Sequence, residues 1–220
     1  MSEPVKRNYS STLRETQASE TRRVIVSAAT RLFIEQGFGR TTIDAIAAAA
    51  GVSRKTVFTS AGGKADILKL ALDWAVVGDD RPVPLSRRSA VERLKKETDP
   101  ATLVEGWIEM GVGISARVAG IYGALVVAAG IDDDARDLLE TARAQRLAGA
   151  RAIVRALDAL GALRPDLSVD EAADIAWTLG DPTLYEDLVV HRRWSQRRFK
   201  TWMTDTAARQ LLAAAPSCQK

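Results

Sequence analysis

An all-α fold is what this sequence predicts, and three observations predict it. Apolar residues recur at steps of three and four over most of the 220 residues. No stretch alternates at period two for long enough to make a strand. No proline falls between Pro4 and Pro82, so the whole front end is free to be helical.

The elements follow in order. Residues 1–19 are polar and aperiodic, and read as a disordered arm. Residues 20–37 read as a helix, with Val24, Ile25, Ala28, Ala29, Leu32 and Phe33 on one face and Gly37 at its end. Thr41 to Leu68 then reads as two short helices around a tight turn. Thr41 is placed to cap the first of them, with Asp44 three residues on as a variant capping box. Ile43, Ile46, Ala47 and Ala50 give its apolar face. Gly51 stops it, because a residue without a side chain reaches the left-handed conformation cheaply. Val52 fills the corner. Ser53 caps the second helix, which opens Arg54, Lys55, Thr56, Val57, Phe58, Thr59.

Lys64 begins a fourth helix with Ile67, Leu68, Ala71, Trp74 and Ala75 inward, ending near Gly78. Residues 78–90 hold two prolines and five charges, and read as a loop. Pro100 opens a helix, where its missing N–H costs nothing; Leu103, Trp107, Met110 and Ile114 follow at helical steps. A separate short apolar helix is expected around 120–130. Asp132, Asp133 and Asp134 favour the positive end of the next helix, which Gly161 stops. Ser168 caps another, Pro182 interrupts or restarts it, and a last helix spans about 195–214.

Charge is unevenly placed. Residues 1–64 carry ten cations against five anions, a net +5, and the rest of the chain carries −2. A basic front end fits nucleic acid, although a basic tail with ordinary surface charge reads the same way. Cys218 is the one cysteine, so no internal disulfide forms. The first residues lack the apolar run of a signal peptide. The least polar stretch, 111–131, holds Arg117 and five glycines, and suits buried helices better than a membrane span. A cytoplasmic protein is expected.

The segment from Thr41 resembles the helix-turn-helix of the TetR (tetracycline repressor) family of bacterial regulators. The residues that carry the likeness are Thr41, Thr42, Ile46, Ala47, Ala50, Gly51, Val52, Ser53, Thr56, Val57, Lys64 and Leu68. Three positions depart from the pattern. Phe58 stands where tyrosine is usual, Ser60 where histidine or tyrosine is, and Ala61 where a phenylalanine packs the next turn. Residues 161–179, then Pro182, Tyr185, Leu188, Trp194, Ser195, Phe199 and Trp202, resemble one ligand-domain subtype of the same family. The resemblance implies a DNA-binding head at 20–66, a connector helix, and a ligand-binding and dimerisation body at 67–214, with an arm at 1–19 and a tail at 215–220.

It also implies roles. Arg54 and Lys55 suit guanine O6 and N7, and Thr59 suits a base edge. Thr42, Thr56, Ser60 and Lys64 suit phosphates, which set register rather than sequence preference, and the cap Ser53 counts among the DNA-binding residues. Phe58 packs on a sugar or thymine methyl, or in the core. Trp107, Met110, Ile114, Tyr122, Val126 and Trp177 line a cavity or ordinary core; the soft walls suit a largely apolar ligand, with the Tyr122 hydroxyl to orient it. Ile175, Leu179, Phe199, Trp202, Met203 and Leu211 form the dimer interface in this reading. His191 stands alone among arginines, with no metal set or catalytic triad visible, and Gly62-Gly63-Lys64 lacks Walker spacing. No cofactor is expected. The expected function is a homodimeric repressor on a palindromic double-stranded DNA operator, released by a small ligand. An effector-free regulator or an activator competes with it. An all-α carrier or enzyme is the more remote alternative.

Overall fold

The computed structural model describes residues 5–213, with side chains from Thr16 onward. The first four residues, and the expected tail with Cys218, lie outside the described residues. Every described element is helical, and the one trace of strand pairing is an isolated antiparallel bridge between Leu163 and Leu212.

Helix α1 runs from Val5 to Gln36, through most of the expected disordered arm. The reason is that no glycine or proline interrupts these 32 residues, and extending a helix already anchored by packing adds one hydrogen bond per residue fixed. The anchor is Ile25, Val26, Ala29 and Phe33, all buried, with Val26 in the inward place expected of Val24. Gly37 ends the helix at φ 83°, and the buried Phe38 ring lies 5.5 Å from Phe33. Helices α2 (Ile43–Ala50) and α3 (Arg54–Ala61) pack on α1 and on each other, and α4 (Lys64–Val77) follows.

Contacts divide the chain into two compact units. The first holds residues up to Trp74 together with Ile121–Leu138; the second holds Ala75–Gly120 and everything from Leu139 on. The expected boundary at residue 66 and the break at Trp74 both fall within α4, the former in its first turn. Ile67, Leu68, Ala71 and Leu72 of α4 are buried with the first unit, and the chain leaves that unit only in the last turn of the helix.

The second unit carries its own apolar core. Helix α6 (Pro100–Ala128) is continuous where two helices were expected. Its glycines cost helix propensity, about 1 kcal/mol each against alanine, without breaking the hydrogen-bond ladder. One of them lies close to a neighbour: a Cβ on Gly106 would come within 2.7 Å of the Leu94 side-chain tip on α5 (Ser89–Leu94), so that leucine would have to shift. Alone among the described helices, α6 is long and apolar enough to cross a membrane. Its Leu103, Val104, Ile108 and Val112 are instead buried in the core. There they meet Val154 and Leu157 of α7 (Asp133–Ala159), Ala172 and Ala176 of α8 (Val169–Leu179), and Tyr185 of α9 (Pro182–Tyr185). Phe199, Met203, Ala207 and Leu211 of α10 (Gln196–Leu211) complete this core. Between α9 and α10 the backbone is π-helical over Glu186–His191.

The loop after α4 is tied down by charge. The Asp79 carboxylate accepts two hydrogen bonds from Arg88, at 2.7 and 2.8 Å, and two from the Arg81 guanidinium. These bonds, those from Arg88 foremost, hold its carboxyl well below the usual carboxylate range.

Candidate nucleic-acid interface

The interface is set by three local devices in the first unit. Thr42 caps α2, its hydroxyl accepting from the Ala45 amide at 3.1 Å. Thr41, expected to be the cap, is instead 1 % exposed and donates to the Gly37 carbonyl at 2.9 Å. Gly51 closes the corner at φ 67°, with its own amide on Ala48 and the Val52 amide reaching back to Ala47 at 3.0 Å. This doubly bonded ending satisfies carbonyls that the helix leaves orphaned. Ser53 caps α3 by accepting from the Thr56 amide at 3.0 Å, and the two hydroxyls lie 2.8 Å apart.

With both ends pinned, α3 buries Val57 and Ala61 and half-buries Thr56 and Ser60. Arg54, Lys55, Phe58 and Thr59 are exposed, as is Thr42 at the start of α2. Phe58, for which core packing was an alternative, is 46 % exposed. Leaving a ring in water forfeits the stabilisation that burial would bring, so its place on the open face is a positional requirement of the helix rather than a packing choice. The Lys55 ammonium makes no hydrogen bond or ion pair among the described residues, and is open to an anion. The Thr59 hydroxyl donates to backbone carbonyls of its own helix, at 3.1 Å to Lys55 and 3.2 Å to Thr56, which leaves its lone pairs outward.

Two expected phosphate contacts stand apart from this face. Ser60 is half-buried and its carbonyl accepts from Arg22 of α1 at 2.6 Å. Lys64 is half-buried, its ammonium 4.1 Å from the centre of the Phe38 ring. Burial lowers its pKa, and nearby Asp132 opposes that shift. Sequence reasoning missed both partners, because Arg22 and Phe38 are brought in by packing from outside the motif. It also misassigned Asp44. The variant capping box does not form; Asp44 accepts instead from Arg54 at 2.7 Å, ten residues along the chain. At the Gly62-Gly63 turn the Gly63 amide is taken by Asp66, at 2.9 Å, and not left open for phosphate.

The residues expected to meet a ligand are dispersed. Tyr122, buried, and Val126, 41 % exposed, fall in the first unit; Trp107, Met110, Ile114 and Trp177 fall in the second. Trp107 packs half-buried against the second core. Trp177 donates through its indole to the Arg143 carbonyl at 3.3 Å, and the Arg146 guanidinium covers one ring face at 4.7 Å. Arg146 is held there by Asp181, 2.7 Å away. Of the expected dimer residues, Phe199, Met203 and Leu211 are 2 %, 4 % and 0 % exposed, so the chain's own core covers them. Ile175 and Leu179 are half-buried, and Trp202 is exposed beside Trp194, ring centres 6.0 Å apart. His191 is exposed, and no group of three metal-ligating side chains occurs among the described residues.

Residues 25–71 match the family profile of bacterial regulatory proteins of the tetR family. The same end of the chain is similar to the HTH-type transcriptional regulator SrpR of Pseudomonas putida, 41 % identical over 56 residues. That match covers 26 % of this chain and 26 % of SrpR. A second Pseudomonas putida regulator, TtgW, is also 41 % identical over 56 residues, which cover 42 % of its own length. The chain therefore matches less than half the length of these curated relatives. Solved structures share the whole fold at low identity. One is a protein assigned as a transcriptional regulator from Saccharomonospora viridis, in complex with choline: TM-score 0.68, 23 % identity, 89 % of this chain and 100 % of that one. Another is NalD of Pseudomonas aeruginosa, the secondary repressor of the MexAB-OprM multidrug efflux pump: TM-score 0.65, 20 % identity, 88 % and 97 % covered.

Proposed function

We infer, from a head that belongs to the TetR family of bacterial regulatory proteins, that the chain is a DNA-binding transcriptional regulator. One observation carries the reading: a capped, glycine-closed corner that turns Arg54, Lys55, Phe58 and Thr59 outward from a short helix. A major groove admits one such helix, and its donors reach base edges there. In this reading the protein is a homodimeric repressor on a palindromic double-stranded operator. The apolar side chains still open on α8 and α10, Ile175, Leu179 and Trp202, meet their copies in the partner. Selection from a randomised duplex pool tests the DNA claim: a recovered palindrome supports it, and recovery of unrelated sequences rejects it. Sedimentation tests the dimer, with Trp202→Glu expected to give monomers.

Release by a small, largely apolar ligand of the body is the finer part of the proposal. A ligand in the body is supported by one structural neighbour solved in complex with choline, a small quaternary ammonium; the apolar preference rests on this chain's own Trp107, Met110 and Ile114. A ligand releases DNA only if it binds one head spacing better than the other. Trp107→Ala should then abolish the response to any compound found by thermal-shift screening, and leave DNA affinity unchanged. The competing reading, an effector-free regulator, is favoured by the Arg146 guanidinium already seated on Trp177. Loss of operator binding on adding a screened compound would exclude it.

A further inference from the structure

We propose that Asp44 is a positioning residue for sequence reading: it holds the Arg54 guanidinium by one edge and presents the other edge to a guanine. The proposal rests on the DNA-binding reading above. Arg54 is the first residue of α3, and Asp44 lies in the first turn of α2. The Arg54 Nη1 donates to Asp44 Oδ2 at 2.7 Å. The same guanidinium lies over Phe58, 5.6 Å from the ring centre. Thus a side chain with several free torsions is fixed from two directions, by a carboxylate on one helix and a ring one turn along its own.

The chemistry of the fork gives this arrangement a use. A guanidinium carries five donors in a rigid plane. Asp44 takes one of them, on Nη1. The Nε–Nη2 edge makes no hydrogen bond among the described residues, and that edge has the spacing to meet guanine O6 and N7 together. An arginine biased this way loses less conformational freedom on binding, and its carboxylate partner competes with the nearest phosphate for it. A carboxylate at a DNA-facing surface also repels phosphates, so it lowers affinity for every sequence. An acid here therefore trades general affinity for discrimination.

A plain stabilising role for Asp44 predicts something else. An acid in the first turn favours the helix dipole. Its loss would then lower the melting temperature and weaken binding to all sequences alike.

The test uses the full chain and a randomised duplex pool, followed by titration of the selected duplex and of each single-base variant. Asp44→Asn should bind non-selected duplex several-fold more tightly. It should also lose about tenfold discrimination at one base pair per half-site, the same pair that Arg54→Ala relaxes. In an Arg54→Ala background, Asp44→Asn should change base preference no further, while Asp44→Glu in the wild-type background should retain part of it. Unchanged discrimination in Asp44→Asn overturns the proposal. So do additive effects at two different base pairs, which would make Asp44 an independent reader of cytosine. Failure of the wild type to select any sequence would instead overturn the DNA-binding reading itself.

Discussion

The α2–α3 corner and the α8–α10 pair are both helix pairs with apolar faces, yet their side chains meet opposite fates. In the corner, Arg54, Lys55, Phe58 and Thr59 stay outside, including a phenylalanine ring. In the later pair, Phe199, Met203 and Leu211 sink into the chain's own core, although the sequence marked them for a partner. The difference lies in what decides burial. Two eight-residue helices pinned by caps and a glycine have one possible inward face, so the outward face follows from local rules. A 16-residue amphipathic helix has an apolar face that any neighbour will cover, and the neighbour here is α6 and α8 of the same chain.

The largest expected effect breaks this comparison on the core side. Phe199→Ala removes a ring that stacks edge-on against Tyr185 at 5.4 Å and is 2 % exposed. It should cost about 3–5 kcal/mol in denaturant unfolding. A variant that lost only its dimer, at unchanged stability, would return Phe199 to the interface. On the open side, Arg54→Ala or Lys55→Ala should leave unfolding unchanged and weaken the operator complex by about 1–3 kcal/mol, with relaxed preference at one base pair per half-site. Equal weakening on all duplexes would strip them of base reading.

The devices that hold the open face come next. Thr42→Ala and Ser53→Ala each remove a cap and should cost about 1 kcal/mol in thermal unfolding. Thr41→Ala tests the reassigned cap. It leaves a void and a lone carbonyl at a position 1 % exposed, so a stability loss smaller than that of Thr42→Ala would contradict the buried role. Lys64→Ala divides structure from phosphate contact at smaller cost. With its ammonium on Phe38, the variant should lose about 0.5–1 kcal/mol of stability. The slope of log affinity against log salt should stay as it was; a slope shallower by about 0.9 would put Lys64 on a phosphate.

The smallest effect is acid-side. Because the folded Asp79 carboxyl titrates lower than the unfolded one, its contribution is complete above the unfolded value near 4 and is lost as pH falls below it. Asp79→Asn should flatten that part of the stability profile and leave neutral DNA binding alone. An unaltered acid limb would disconnect the Arg88 pairing from stability.

By itself the sequence determined the features that depend on near neighbours. Gly51 at positive φ, the Ser53 and Ser168 caps, the stop at Gly161 and the exposed start of α3 each rest on a few adjacent residues. Their energies are local, so residue type and spacing suffice. Tertiary structure alone decided whatever needed a partner distant in sequence. It continued α1 through a polar segment and joined α6 across its glycines. It drew 121–138 into the first unit and paired Asp44 with Arg54. It also set Lys64 on Phe38 and withdrew Phe199, Met203 and Leu211 from the surface. Periodicity says that a face is apolar. Which surface covers that face is settled by packing among elements far apart in the chain, and no local pattern encodes it.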